Sequence, residues 1–337
     1  MNKLINIVAM ATLTFLFSSH SVYADEHSGL PQAALDEPLG ENGYLTREIA
    51  NGVFMVTDSI YQAMFVPTGE GVVVFDAPYS LGEKIKKAIA EQTSEPITHL
   101  VYSHSHVDHI GASAVFGENV IRVASRHTAN KLAIAEDKRR LPVTQAFDQS
   151  MTLTVGDFSV KLSDAGKGHN DGNLYIYLPK QKVLMNVDVI YPGWVPFTNL
   201  GMAEDIQGYI DQHEAILDFD FNVFIGGHLG RPGNRQDVEI AKEYILDLIT
   251  FAQKGHQQAN FYATAKQVGW ENKWLLVKTY MDDISNYCTT EMLKRWSKRL
   301  GGAEVSTAGH CFIMQEHIAI NGLPAHTLSQ LTKEQIK

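Results

Sequence analysis

Apolar residues come first in short runs bounded by turn residues, and later at steps of three and four along uninterrupted stretches. The short runs over 52–57, 61–67 and 72–76 read as strands, with Gly69-Glu70-Gly71 turning the chain between the last two. An amphipathic helix is expected over 81–92, a buried strand over 98–103, a strand over 120–124 and a helix over 128–136. Turn-bounded strands follow over 151–155, 158–163, 174–178 and 183–189, then a helix over 206–217 and an apolar strand over 222–225. After Gly233 two long helical patterns take over, at 236–258 and 273–300, and no proline interrupts either. Val238, Ala241, Ile245, Leu248 and Ala252 mark the buried stripe of the first; Trp274, Val277, Met281, Ile284, Cys288, Met292 and Trp296 mark that of the second. Strands followed by outer helices predict an α/β sandwich, with 234–337 a helical C-terminal extension packed on it.

The 337-residue chain is 45% apolar and 20% charged, ordinary values for a globular protein. Its first 24 residues differ: Lys3 supplies a positive start, 4–17 an apolar run, and Val22-Tyr23-Ala24 a small-residue cleavage site. This reads as a removable signal peptide. A membrane anchor is the rival, but the run is shorter than the roughly 20 residues of a spanning helix and is broken by Thr12 and Thr14. A periplasmic or secreted chain starting near Asp25 is therefore expected, with no membrane anchor after removal and a flexible leader over 25–42. Without Lys3, 27 basic residues face 38 acidic ones, so the formal charge moves from −10 to −11. No dense basic stripe is present to displace counterions from phosphates, which excludes nucleic acid and leaves a small molecule as the expected substrate. Cys288 and Cys311 could pair in an exported chain, but Cys288 lies on the apolar stripe, which favours buried free thiols.

The chemistry concentrates in Ser103-His104-Ser105-His106-Val107-Asp108-His109-Ile110-Gly111, directly after a predicted strand. In an extended segment His104 and His106 share a side with Asp108, while His109 turns to the other, so two adjacent metals could be served. A tetrahedral site needs further ligands from elsewhere. His169 in a Gly-rich turn, Asp188 at the end of an apolar strand and His228 after Gly226-Gly227 are the candidates. A lone carboxylate on such a strand is costly to bury unless cations meet it.

The order His-x-His-x-Asp-His, then Gly-His, then a strand-end Asp, then Gly-His resembles the metallo-β-lactamase superfamily over roughly 44–231. The resemblance implies an αββα sandwich over 43–233. It also implies two zinc ions: His104, His106 and His169 on one, Asp108, His109 and His228 on the other, and Asp188 bridging, with iron or manganese left open. Asp76 is implied as a carboxylate that orients ligand imidazoles. Two such cations activate a shared water and polarise a substrate carbonyl, so hydrolysis of a small ester, lactone or amide is expected, with Asp108 moving the proton. Tyr191 resembles a lactonase tyrosine that binds the substrate carbonyl. It could equally pack beside Pro192, Trp194, Pro196 and Phe197, an expected apolar pocket wall. The alternatives are a mononuclear-iron enzyme of the persulfide dioxygenase kind, and a phosphodiesterase or thioesterase of the same fold.

Overall fold

The computed structural model describes residues 29–331. The expected signal peptide lies outside the described residues. Seven strands form one sheet in sequential order: β1 (Leu45–Ala50), β2 (Val53–Thr57), β3 (Gln62–Pro67), β4 (Val72–Phe75), β5 (Ile97–Val101), β6 (Ile121–Ser125) and β7 (Gln145–Phe147). Pairing is antiparallel from β1 to β4 and parallel from β4 to β7. The second sheet holds β8 (Ser150–Val155), β9 (Phe158–Asp164), β10 (Leu174–Leu178), β11 (Val183–Met185) and β12 (Val223–Ile225) in the order β12-β11-β10-β9-β8. Only β11 and β12 run parallel there. The helices are α1 (Gly82–Gln92), α2 (Val107–Ile110), α3 (Arg126–Ala135), α4 (Thr198–Met202), α5 (Ile206–Leu217), α6 (Arg235–Gln258), α7 (Phe261–Val268), α8 (Lys273–Trp296), α9 (Ala303–Asn321) and α10 (Ala325–Gln330).

Alternation along the strands builds the layers. In β4, Val73 and Phe75 join the core between the sheets, together with Val160, Leu162 and Ile176 of the second sheet. Val72 and Val74 point the other way, onto Leu81, Ile85 and Ala88 of the outer helical layer. The outer face of the second sheet, through Leu184 and Phe224, packs on Tyr209, Ile245, Leu248, Met292 and Trp296. Four layers result, helix on sheet on sheet on helix, as the αββα expectation has it. No helix among the described residues is long and apolar enough to cross a membrane.

Three sequence expectations need correction, and the described part of 25–42, residues 29–42, has contacts with the rest of the chain: Ala34 is buried, the Trp194 indole donates to its carbonyl, and Arg231 donates to that of Ala33. The segment fills a hollow that Gly193 leaves open, where a Cβ would stand 1.9 Å from the Ala33 carbonyl oxygen. The second C-terminal helix ends at Trp296 instead of 300, and a further long helix, α9, follows it. The α8 stripe is buried only from Ile284 onward, since Trp274 is 83% exposed and Val277 38%, while Leu276 is the buried residue of the first turns. Cys288 and Cys311 are joined in a disulfide, their Cα atoms 5.8 Å apart, because α9 lies along the buried face of α8 and brings Cys311 onto the same stripe.

The disulfide spans 23 residues of sequence and fastens α9 to α8. Closing a loop of that length restricts the unfolded chain by about 3 kcal/mol. Replacing both cysteines by alanine should therefore lower unfolding free energy by about that amount in urea titration. A midpoint unchanged from wild type would contradict this.

Candidate metal centre

Parallel strands align their carboxyl ends, and the chemically distinctive residues follow those ends. Asp76 follows β4, the histidine motif follows β5, Asp188 follows β11 and His228 follows β12. His169 sits in the turn between β9 and β10, at the same edge of the sandwich. The chain stays extended through His106 (φ −67°, ψ 142°) and then winds into α2. That turn of helix changes the expected sidedness. Instead of sharing the side of His104 and His106, Asp108 is carried with His109 towards His228. Two donor groups result, His104, His106, His169 and Asp188 in one and Asp108, His109 and His228 in the other, with ligand atoms inside each group within 4.8 Å of one another.

Asp188 touches both groups. Its Oδ2 lies 3.5 Å from His104 Nε2, 3.2 Å from His169 Nε2 and 3.1 Å from His109 Nε2, while Oδ1 lies 2.9 Å from His228 Nε2. The backbone there is left-handed (φ 65°), and the Asp188 N–H donates to the Gly226 carbonyl at 3.1 Å. That approach is why glycines precede His228. A Cβ on Gly226 would meet the Ile190 carbonyl oxygen at 2.3 Å, and one on Gly227 would meet Val187 at 2.5 Å. These glycines make room for neighbouring chain, and Gly168 likewise faces Gln212, not the donor cluster.

Hydrogen bonds orient the rings. The Ser103 hydroxyl meets His104 Nδ1 at 2.9 Å, and His228 Nδ1 lies 3.0 Å from the Ile60 carbonyl oxygen, so each ring turns Nε2 towards Asp188. Asn170 Nδ2 lies 3.1 Å from His106 Nε2 and donates to Glu204 at 2.9 Å, while His106 Nδ1 faces His169 Nε2 at 3.1 Å. Asp76 accepts from the Ser103 N–H at 2.7 Å, and its Oδ2 stands 3.9 Å from His109 Nδ1.

The donor set fits a divalent cation. Buried His104 Nε2, which faces Asp188 at 3.5 Å, has no hydrogen-bond partner among the described residues, unusual for an interior polar atom. Burial, then the neighbouring imidazoles, holds His104 well below the usual histidine range, and burial with His169 pushes His106 down to about 4. Burial would raise Asp188, yet His109, His169 and His228 hold it well below the usual carboxylate range. For His109, burial is overridden by Asp188, Asp108 and Asp76, which raise it to about 9. Converging imidazoles around one buried anion are what a metal site requires before the metal arrives.

Beside this cluster opens a cavity of about 530 Å³. Trp194, Pro196 and Phe197 line it as expected. Pro192 does not, because it packs against Gly226 and Gly233. Tyr191 lines the cavity, is buried, and places its hydroxyl 3.4 Å from the Asp188 carbonyl oxygen and 3.5 Å from Oδ1. Sequence reasoning passed over Tyr61, whose ring centroid lies 4.8 Å from that of His228 and 5.6 Å from that of His109. It stands at the head of an apolar strand, where nothing separates it from a core aromatic.

Residues 56–228 match the family model of the metallo-beta-lactamase superfamily. The chain is 23% identical over 226 residues to the 2,4-dinitroanisole O-demethylase subunit alpha of a Nocardioides species, covering 65% of this chain and 68% of that protein. It is 27% identical over 162 residues to a metallo-beta-lactamase type 2 of Elizabethkingia meningoseptica, covering 47% and 62%. These matches span about two-thirds of the relatives' own length. Among solved structures, a metallo-beta-lactamase from Pontibacter korlensis superposes with a TM-score of 0.52 at 21% identity, over 59% of this chain and 97% of that one, which is a likeness of fold.

The buried imidazoles make stability depend on pH when a chelator has stripped the protein. Burial holds His106, His213 and His310 at about 4, against 6.5 in the unfolded chain. The unfolded state then binds more protons between those values, so stability should fall as pH drops through that window. Asp76, raised by burial to about 6, opposes this as a single group. His109, raised to about 9, contributes stability that is complete below pH 6.5 and lost as pH rises towards 9. The thermal midpoint of stripped protein should peak between pH 6 and 7.5, roughly, and decline on both sides. A midpoint that climbs steadily to pH 9 would contradict it.

Proposed function

We propose that this chain, which belongs to the metallo-β-lactamase superfamily, is an exported metallohydrolase that holds two zinc ions and cleaves an ester, lactone or amide-type bond in a small molecule. The observation that carries the reading is Asp188, a buried carboxylate in reach of both donor groups, at the floor of a cavity large enough for a drug-sized molecule. Zinc suits five imidazoles and two carboxylates better than calcium or magnesium, which prefer all-oxygen sites. His104, His106 and His169 would hold one ion, Asp108, His109 and His228 the other, and Asp188 would serve both. Export is supported by the Cys288–Cys311 disulfide, a bond that persists in oxidising compartments.

When bound, the ions supply Lewis acidity: they lower the pKa of a water and polarise the substrate carbonyl. The chain's own residues do the rest. Asp108 has its carboxylate partly exposed at the cavity and would take a proton from the attacking water and return it to the leaving group. Tyr191 lines the same cavity, and burial and the Asp188 charge raise the pKa of its hydroxyl well above the ordinary value. It would stay protonated and donate to the substrate oxygen. Trp194 and Phe197 would exclude water from the reacting bond. The relatives' names differ in substrate, so the reading takes from them only the metal-dependent chemistry common to the superfamily.

Asp188→Asn tests the centre. Asparagine keeps the shape and removes the charge that answers both donor groups. At an effective dielectric of about 20, unit charges 4 Å apart interact by about 4 kcal/mol, so metal binding should weaken first. The variant should fold, retain about one ion by elemental analysis, and lose about tenfold to a hundredfold in turnover, with partial rescue by excess zinc. Two tightly held ions and wild-type turnover would remove the basis of the two-ion reading. Export has its own check: the protein recovered from its host should begin after Ala24, and an intact mass that includes Met1 would refute it.

A further inference from the structure

The cavity wall is chemically one-sided. Apart from the donor cluster, its polar side chains are Tyr61, Tyr191, Ser306 and Trp194, the last with its indole N–H given to the Ala34 carbonyl, and among the described residues no lysine or arginine lines it. The cations nearby are already paired: Lys131 with Glu204, Arg140 with Asp137, and Arg231 with Asp237. An anionic group on a substrate would leave water at this wall without a partner of opposite charge, which is costly. Around the mouth stand four large apolar side chains that the fold leaves in solvent: Ile60 (58% exposed), Phe197 (60%), Met202 (57%) and Val305 (78%).

They come from four separate places: the loop before β3, the stretch before α4, α4 itself and the first turn of α9. Their gathering is held in place. The His310 ring contacts the Phe197 carbonyl at 3.1 Å and the Tyr244 hydroxyl at 2.8 Å, tying the wall to α6 and α9. Asn199, Leu200, Gly201 and Met202 all have positive φ, a left-handed turn that costs non-glycine residues free energy and turns Met202 to the mouth. Exposed apolar groups ringing a deep cavity mark what the cavity takes in.

We propose that this cavity selects a neutral substrate whose aryl or medium-length acyl group lies between the Trp194 wall and the Ile60, Phe197, Met202 and Val305 rim, and that it rejects substrates carrying an anionic group there. The inference rests on the hydrolytic reading for its reaction, and on the wall alone for its selectivity. An acyl chain growing into the rim buries one methylene per added carbon, and each is worth about fourfold in kcat/KM when fully buried.

The test uses the full chain, metal-loaded, on 4-nitrophenyl acetate, hexanoate and monosuccinate. The hexanoate should exceed the acetate by at least about thirtyfold in kcat/KM, from four added methylenes partly buried. It should exceed the monosuccinate by at least about tenfold. Val305→Arg, with unchanged circular dichroism and metal content, should shift the succinate-to-hexanoate ratio upward by about tenfold or more. Equal or better cleavage of acetate or monosuccinate by the wild type overturns the proposal.

Should no ester be cleaved at any metal loading, the hydrolytic reading fails by itself, and selectivity is then judged by binding. Hexanophenone should quench tryptophan fluorescence in the wild type but far less in Trp194→Phe. Its Kd should be at least about tenfold lower than that of its 4-carboxylate. Equal affinity for the two, or tighter binding of the carboxylate, overturns the inference as well.

Discussion

A carboxylate buried at the meeting of two sheets sets the terms for this edge of the molecule. Asp188 is 3% exposed, and an isolated ionised carboxylate there would cost several kcal/mol. The cost is met by geometry, because four imidazoles converge on its two oxygens within 3.5 Å. They reach it because the ends of β5 and β12 and the β9–β10 turn lie at the edge where β11 ends, so that loops far apart in sequence leave the sheets side by side. The left-handed backbone at Asp188 and Asp76, the bare glycines before His228 and the hydroxyl of Ser103 all serve that convergence.

The helices after Gly233 then decide what can approach the edge. α6, α8 and α9 bury the outer face of the second sheet through Leu184 and Phe224, and the disulfide keeps α9 against α8. With α9 so placed, Gly302, Val305 and Ser306 close one side of the cavity, while His310 reaches across to hold the stretch at Phe197. The donor cluster and its cavity thus come from different layers of one fold. The strands carry the charged chemistry, and the helices carry the apolar surround. The left-handed turn at 199–202 joins them, with Gly201 facing the Tyr191 hydroxyl where a Cβ would stand 2.8 Å away.

Where the chemistry is local, it was readable from residue order. Val101 closes an apolar strand, and a dense run of His and Asp follows it, so the motif at 104–109 stands out without any neighbour. His169, Asp188 and His228 were found because each ends or follows a strand-like run, and all three lie in the cluster. The grouping of these side chains came from the family resemblance and not from alternation. Asp108 parts from His104 because the chain turns helical at Val107, and a single helical turn leaves no periodic signal. α9 escaped notice because its buried side carries Ser306, Thr307, His310, Gln315 and His317, which blur the apolar stripe a helix usually presents.

By itself, then, the order of residues determined most of the strands, the long helices α6 and α8, a strand sandwich with helices outside it, and the residue types that gather at one edge. Those features rest on alternation and on short-range spacing, which neighbours in sequence decide. Only the tertiary structure decided the pairing of Cys288 with Cys311, the place of Tyr61 beside His228 and the apolar rim of the cavity. Each of these is a contact between segments distant in the chain. Their meeting depends on how the layers pack and where the loops leave the sheets, and no local pattern of apolar and polar residues encodes that.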